Sequence, residues 1–178
     1  MDFDYIVTDN AQRIFTELVE PNKTPGNCYN LIGSYGTGKS SFLVALEQSI
    51  SGRKSFFKSK KRQKNVGFLK LIGKPQSIKH ALTEALEMNP KSDIEAIQGE
   101  LSELATKHAK LYILVDELGK FVEYALNNNP KVETYVFQRL AEFINDPKSN
   151  ICWVGTLHQN IDSYASSASA ADSMEWEK

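Results

Sequence analysis

Hydrophobic positions follow two spacings along the chain, one typical of helices and one of buried strands. Apolar residues recur every three to four positions in stretches that begin near Asp9, Lys39, Ile78, Ile94, Leu118 and Val136. Four short runs are almost continuously apolar, which is typical of parallel strands buried on both faces: 28–32, 66–72, 111–115 and 151–155. Strands that alternate with helices predict an α/β fold with three layers, a parallel sheet flanked by helices.

Local signals set the expected ends of these elements. Thr8 or Asp9 is expected to cap the first helix, and Ser92 with Glu95 has the pattern of a capping box. The Ser/Ala-rich residues near the C-terminus predict no further element, so the fold is expected to be truncated after the fourth strand. Three regions follow: 1–26, an N-terminal linker and helix; 27–164, the core; and 165–178, a tail at the expected truncation point.

Composition is that of a soluble domain with one core. The chain has 178 residues, of which 41% are hydrophobic and 24% charged. No apolar run approaches the roughly 20 residues that span a bilayer, so no membrane partner is predicted. Cys28 and Cys152 both lie in apolar runs, which argues against a secreted disulfide framework and favours a cytoplasmic location.

Charge is concentrated in one segment, residues 53–64, called the basic segment below. Seven of its twelve residues are Lys or Arg and none is acidic, whereas the rest of the chain has 14 basic and 22 acidic residues. With Phe56 and Phe57 interleaved, it suits a nucleic-acid backbone with stacked bases. The candidate contacts are Lys58, Lys60, Lys61, Arg62 and Lys64. The alternative is a solvated loop extended by its own charge.

The clearest motif is G-x-x-x-x-G-K-[ST], between the first predicted strand and the helix after it. It comprises Gly33, Ser34, Tyr35, Gly36, Thr37, Gly38, Lys39 and Ser40, with Ser41 next to it. Glycines allow backbone N–H groups to turn towards phosphate oxygens, and the following helix directs its positive end at them. Lys39 supplies an ammonium group for the terminal phosphates and Ser40 a hydroxyl for Mg²⁺. The motif predicts a nucleotide site.

Two acids end the third predicted strand. Asp116 occupies the position of the aspartate associated with Mg²⁺ in phosphate-loop proteins, and Glu117 that of the base that activates water. Alternatively the pair only caps the next helix. The run 116–119 also fits the D-x-x-G of GTPases, but the only Asn-Lys pair, Asn22-Lys23, does not continue as N-K-x-D, so ATP is favoured. Nucleotide and small-molecule kinases are a further alternative, although they rarely need the adjacent glutamate.

The fourth strand is followed by polar residues. Thr156 is the candidate to contact the γ-phosphate or the attacking water, with His158 and Gln159 behind it. The alternative is an ordinary polar helix cap.

Together these motifs resemble P-loop ATPases with an additional catalytic glutamate, the group of AAA+ and STAND ATPases. The runs 33–41, 116–125 and 156–159 look like the N-terminal ATPase module of large prokaryotic proteins associated with phage defence. The resemblance implies a P-loop NTPase fold whose fourth strand lies between the first and the third, and a linker over Asp4–Thr8 that packs on adenine, unless Tyr5 and Ile6 are core residues. No arginine finger is assigned, and Arg139 is too weak a candidate.

The expected function is Mg²⁺-dependent ATP binding and hydrolysis, with Lys39, Glu117 and Thr156 as catalytic residues and Ser40 and Asp116 as metal ligands. Two alternatives stay open: a nucleotide-dependent switch with little turnover, and a nucleic-acid-binding module that works through the basic segment. A homo-oligomer is a further partner compatible with this group.

Overall fold

The computed structural model describes residues 3–20, 26–59 and 63–164. Its helices are α1 (Asp9–Val19), α2 (Lys39–Ser51), α3 (Ile78–Ala85), α4 (Ile94–Thr106), α5 (Leu118–Asn127) and α6 (Pro130–Ile144). Its strands are β1 (Cys28–Ile32), β2 (Val66–Ile72), β3 (Lys110–Asp116) and β4 (Ile151–Leu157). The predicted tail, 165–178, lies outside the described residues.

The four strands form one parallel sheet in the order β1-β4-β3-β2. Helices α1 and α2 cover one face, and α3 to α6 cover the other. The three-layer α/β architecture and the position of β4 between β1 and β3 are therefore confirmed. Since all the strands are parallel, their carboxyl ends meet at one edge of the sheet.

The central strands β3 and β4 are apolar throughout because both faces are buried. On one face, Tyr112, Leu114, Cys152 and Val154 pack among the apolar side chains of α1 and α2. On the other face, Leu111, Ile113, Val115, Ile151 and Trp153 pack among those of α3 to α6. Tight burial on both faces fixes the register of the strands that carry the polar residues at their ends.

Helix caps agree in part with the sequence. Thr8 caps α1, its hydroxyl accepting the N–H of Ala11 at 3.2 Å. At α4 the cap is Asp93 and not Ser92, because the Asp93 carboxylate accepts the N–H of Ala96 at 2.8 Å and the helix begins one residue later. The predicted capping box of Ser92 with Glu95 is therefore wrong; Asp caps as well as Ser does.

The two cysteines are free. Cys152 belongs to the core beneath α1 and α2, and Cys28 packs against the core on the opposite face of the sheet. Burial raises the pKa of the Cys28 thiol to about 11 and that of Cys152 to about 12. Both thiols are therefore protonated and unreactive at neutral pH, as structural cysteines are.

Candidate functional site

The ends of β1, β3 and β4 bring the glycine-rich turn, the two acids and Thr156 to the same edge of the sheet. Leu31 of β1 is opposite Thr156 of β4, and Ile72 of β2 is opposite Asp116 of β3. Just beyond β1, the N–H of Gly33 donates to the carbonyl of Leu157 at 3.1 Å, which fixes the start of the glycine-rich turn against β4. The turn and the acidic residues are thereby brought together from positions about 80 residues apart in the sequence.

The glycine-rich turn has the backbone that its sequence predicts. Gly36 and Gly38 have φ of +77° and +82°, in the left-handed region that disfavours side chains. Gly38 is the N-cap residue of α2. Thr37 donates its hydroxyl proton to the carbonyl of Ser34 at 2.8 Å, which closes the turn. The N-terminal N–H groups of α2 therefore lie at the turn, where a helix favours negative charge.

Lys39 folds back over the turn. Its ammonium group donates to the carbonyl oxygens of Gly33 and Ser34, the latter at 2.8 Å. The positive charge of Lys39 is thus held directly beside the backbone that would surround a phosphate. Ser40 and Ser41, the next two residues of α2, are exposed.

The hydroxyl of Thr156 connects Asp116, the last residue of β3, with the backbone of Glu117, which follows it. It donates to Asp116 Oδ1 at 2.8 Å and accepts the N–H of Glu117 at 2.8 Å. The Glu117 N–H also approaches Asp116 Oδ1 at 3.1 Å. Thr156 is only 1% exposed and is part of β4, which extends two residues beyond its predicted end. The hydroxyl of Thr156 therefore links the Asp116 carboxylate to the backbone of Glu117.

Glu117 has a constrained backbone and a paired side chain. Its φ is +54°, uncommon for a residue with a Cβ. Gly73, just after β2, donates its N–H to the Asp116 carbonyl at 2.8 Å and passes so close to the Glu117 carbonyl that a Cβ at Gly73 would collide with it. The Glu117 carboxylate accepts a hydrogen bond from Lys120 in α5, and this bond raises the pKa of Lys120.

Gly73 and Lys120 are the site residues that the sequence interpretation missed. Lys120 could have been found, since a Glu–Lys pair three residues apart on a helix is a recognisable pattern. Nothing in the sequence reveals the contact between Gly73 and Glu117, which joins two different strand ends.

The glycine-rich turn, the two acids and Thr156 line a cavity of about 300 Å³. The residues around it are Tyr35, Gly36, Gly38, Lys39, Ser40, Ser41, Asp116, Glu117, Thr156 and His158. Ser40 and Asp116 offer the oxygen ligands that Mg²⁺ prefers, and Mg²⁺ commonly takes only one or two protein ligands besides waters and phosphates. The residues therefore fit that ion. Among the described residues no group of three or more His, Cys, Asp or Glu side chains is arranged around a metal position.

A second cavity, of about 590 Å³, lies on the other side of the glycine-rich turn, between α1 and β1. It is lined by Tyr5, Thr8, Ile14 and Ile32 together with Gly33, Gly38 and Lys39 of the turn, among others. Ile6 is 87% exposed, so the expectation that it is a core residue is wrong. Tyr5 is half-buried and packs against Phe56 and Phe57, with ring centroids 6.0 and 5.7 Å apart.

Tyr35 connects the turn to the chain after β4. Its ring stacks on His158, with centroids 3.6 Å apart and planes 22° apart. Despite this contact, Tyr35 is 78% exposed. The Nδ1 atom of His158 is buried and has no hydrogen-bond partner in the described part of the chain.

The basic segment is anchored to the fold by the aromatic residues that were expected to stack on bases. Phe57 is 4% exposed and stacks on Phe15 of α1 at 4.5 Å, so its predicted contact with bases is wrong. Phe56 is half-buried against Phe3 and Tyr5. Lys58 and Lys64 are exposed. The candidate contacts Lys60, Lys61 and Arg62 lie outside the described residues.

Arg139 does not approach the site. It pairs with Glu95 and Glu142 on the outer surface of α4 and α6.

Within the described ranges, no helix is long and apolar enough to cross a bilayer.

Comparison with known proteins is informative about the fold. No protein-family model matches the chain, and no curated protein matches its sequence. Sixty-three chains of solved structures match it, among them one from the structure of Drosophila ORC bound to DNA, with a TM-score of 0.53 and 18% sequence identity. The match covers 85% of this chain and 37% of the ORC chain, so this chain spans little more than a third of that length. At this identity the similarity is one of fold: a parallel sheet flanked by helices.

Proposed function

We propose that this chain is a Mg²⁺-dependent ATP-binding and ATP-hydrolysing domain. The observation that carries the proposal is the meeting of Lys39, Asp116 and Glu117 around one cavity at the carboxyl edge of the sheet. A glycine-rich turn with a lysine, near an acidic pair at the end of another strand of the same sheet, is the arrangement that binds and cleaves nucleotide phosphates. The fold similarity to an ORC chain supports nucleotide binding at the level of the AAA+ fold.

Each residue has a separate role in this proposal. The backbone N–H groups of 33–41 and the ammonium of Lys39 bind the phosphates. Ser40 and Asp116 hold Mg²⁺, which neutralises charge on the phosphates when bound. Glu117 orients the attacking water and accepts its proton, and Thr156 holds both acids in place. The second cavity, beside Tyr5 and Ile32, accommodates the adenine base.

A switch with little turnover is a second candidate, and the pair between Glu117 and Lys120 favours it. The Lys120 ammonium binds the Glu117 carboxylate, the group proposed to orient the attacking water. The two side chains are 33% and 45% exposed, and an ion pair this exposed contributes little stability, so a bound phosphate competes readily for Lys120. Nucleotide occupancy, more than hydrolysis, would then be the output of the domain.

The wider context is proposed from the motifs. In this proposal the domain has its core at 27–164 and forms the N-terminal part of a larger AAA+ or STAND-like protein. The parent protein is of the kind associated with phage defence and acts in the cytoplasm. A homo-oligomer and a nucleic acid are its proposed partners, the latter through the exposed cations of the basic segment. That the ORC neighbour is bound to DNA is compatible with such a partner.

Steady-state hydrolysis of Mg·ATP tests the proposal. We expect Glu117→Gln to lower turnover at least about 100-fold, the typical contribution of a positioned base, with ATP affinity within about twofold of the wild type. Glu123→Gln, an exposed carboxylate on the same helix, is the matched control and leaves turnover unchanged. Undiminished hydrolysis in Glu117→Gln refutes the role of Glu117.

The Lys120→Ala substitution distinguishes the hydrolysing domain from the switch, and the quantity measured is again the turnover of Mg·ATP. Higher turnover than in the wild type shows that Lys120 restrains Glu117, as the switch requires. Unchanged turnover shows that the ion pair has no part in regulation.

A further inference from the structure

Three consecutive residues where α5 begins, 117–119, each take part in a contact that leaves no room for a side chain on a glycine. In each pair, a Cβ added to the glycine would collide with its partner. The three pairs are Gly73 with the Glu117 carbonyl, Gly155 of β4 with the Leu118 side chain, and Gly119 with the Tyr164 ring. The first turn of α5 is therefore held at once by the residue that follows β2, by β4 and by the chain after β4.

Glu117 has a backbone that needs such support. Its φ of +54° lies in the left-handed region, which is unfavourable for a residue with a Cβ. A residue persists in a sparsely populated backbone region only when the surrounding structure over-determines it. The close contacts at 117–119 provide that support. If one of them is lost, the backbone of Glu117 can relax, and the direction of its carboxylate changes with it.

Tyr164 supplies the contact at Gly119 from a fixed position. Its side chain is 4% exposed and belongs to the core that α3 to α6 share. Its hydroxyl accepts the N–H of His158 at 3.4 Å. The hydroxyl and the adjoining ring carbons lie over Gly119, in the first turn of α5. Because glycine is a poor helix former, its presence within a helix calls for a reason, and the Tyr164 ring gives one.

We propose that Tyr164 is a positioning residue for Glu117: by packing on Gly119, it fixes the first turn of α5 and with it the direction of the Glu117 carboxylate. The inference rests on the proposed function, since Glu117 is the group proposed to orient the attacking water. Tyr164 is not among the described residues that line the cavity of about 300 Å³, so it acts through α5. Its effect on turnover can still be large, because misplacing a reacting group by about 1 Å can cost about 100-fold in rate.

Two substitutions disturb this contact from opposite sides. Gly119→Ala adds a methyl group that collides with the Tyr164 ring, and Tyr164→Leu removes the hydroxyl and the ring atoms that lie over Gly119. In the double variant the smaller side chain leaves room for the added methyl group, so the two losses should not add. Ile97→Val, a small loss from the same core on α4, is the control.

The first measurement is amide hydrogen exchange by NMR without nucleotide. The N–H of Glu117 donates to the Thr156 hydroxyl at 2.8 Å, and the N–H of Lys120 donates to the Glu117 carbonyl at 3.1 Å. We expect both amides to exchange at least about tenfold faster in each single variant, because local opening around Glu117 becomes easier. Both should return towards the wild-type rate in the double variant, and Ile97→Val should leave them within about twofold.

The second measurement is the hydrolysis of Mg·ATP, with the affinity for Mg·ATP from calorimetry. We expect kcat to fall about tenfold or more in each single variant while the affinity stays within about twofold, because the glycine-rich turn is untouched. The double variant recovers most of the lost turnover. Tyr164→Phe keeps the ring over Gly119 and most of the wild-type kcat. The control, Ile97→Val, changes neither quantity.

Three results overturn the inference: unchanged exchange at Glu117 in both single variants, an unchanged kcat in both, or a fall in kcat that the double variant does not reverse. Parallel falls in kcat and in affinity mark a structural role alone and overturn it too. Affinity also reports whether each variant is folded, and the two Tyr164 variants decide the matter if Gly119→Ala does not fold. Failure of the proposed function has a different signature, since the wild type then hydrolyses no ATP. The exchange rates then decide by themselves whether Tyr164 fixes the backbone of Glu117.

Discussion

The carboxyl edge of the sheet, called the phosphate edge below, is where Lys39, Asp116, Glu117 and Thr156 meet. It differs from the basic segment in how firmly the fold fixes the positions of its polar side chains. At the phosphate edge, Asp116, Glu117 and Thr156 come from two strands and bond to one another, so their positions follow from the register of a buried sheet. In the basic segment, Phe57 is buried and the Lys54 ammonium donates to the carbonyl of Phe3 at 2.6 Å. The residues of a motif defined by spacing meet in the fold, whereas part of a segment defined by composition serves for packing.

Anchoring of the basic segment extends to its backbone. The side-chain amide of Gln12 in α1 both accepts the N–H of Lys58 and donates to its carbonyl, each at 2.9 Å. Arg53 pairs with Glu47 of α2, which also binds Lys70 of β2. The segment is therefore tied to both helices, α1 and α2.

The largest expected effect is on stability, from Phe57→Ala. Loss of a buried ring that packs on Phe15 and Phe42 is expected to lower the free energy of unfolding by about 3–5 kcal/mol, measured by denaturant titration. Lys58→Ala is the control, because that side chain is exposed and its stability effect is expected to stay within about 0.5 kcal/mol. A stable Phe57→Ala with weakened nucleic-acid binding would instead restore the stacking hypothesis.

Gly73→Ala probes the tight approach at the phosphate edge. Because the new Cβ collides with the Glu117 carbonyl, we expect the free energy of unfolding to fall by about 1–3 kcal/mol. Thermal or denaturant unfolding measures the change. Gly99→Ala is a matched change in the middle of α4 with open space around it, and it is expected to stabilise by about 0.5–1 kcal/mol. Equal effects of the two substitutions would contradict the close contact at Gly73.

The smallest effect is expected at the surface of the basic segment. Replacing Lys60, Lys61 and Arg62 with Ala should reduce the slope of log affinity against log salt by about 2 for a single-stranded oligonucleotide, since each phosphate contact contributes roughly 0.7. Fluorescence anisotropy over a salt series measures it. Replacing the exposed Lys91, Lys131 and Lys148 with Ala is the control with the same change in charge. An identical slope in both variants removes the segment as a nucleic-acid site.

Sequence was a good guide where a signal is local or where both faces of a strand are buried. The continuous apolar run at β3 and the glycines of 33–38 predicted a buried strand and a tight turn before α2, and both are present. The end of β4 was predicted too early. Thr156 and Leu157 continue the strand because they pair with Leu31 and Ile32 of β1, a contact that single-strand propensity does not contain.

Contacts between distant segments could not be predicted. Phe56 and Phe57 lie among lysines, and only the position of α1 and α2 reveals that an apolar surface receives them. The neighbours of the Thr156 hydroxyl in space, Asp116 and the Glu117 N–H, are about 40 residues away in the sequence, so no local pattern reveals them. Local pattern gave the candidate residues, and tertiary packing decides what each one touches.

The central claim is that the phosphate edge binds nucleotide phosphates, and a calorimetric titration of Mg·ATP tests it most directly. We predict saturable binding by the wild type, and at least about a 100-fold loss of affinity in Lys39→Ala, because the ammonium beside Gly33 and Ser34 is then missing. Lys58→Ala, the control from the basic segment, should bind as the wild type does. Binding that is equal in Lys39→Ala and the wild type would contradict the account.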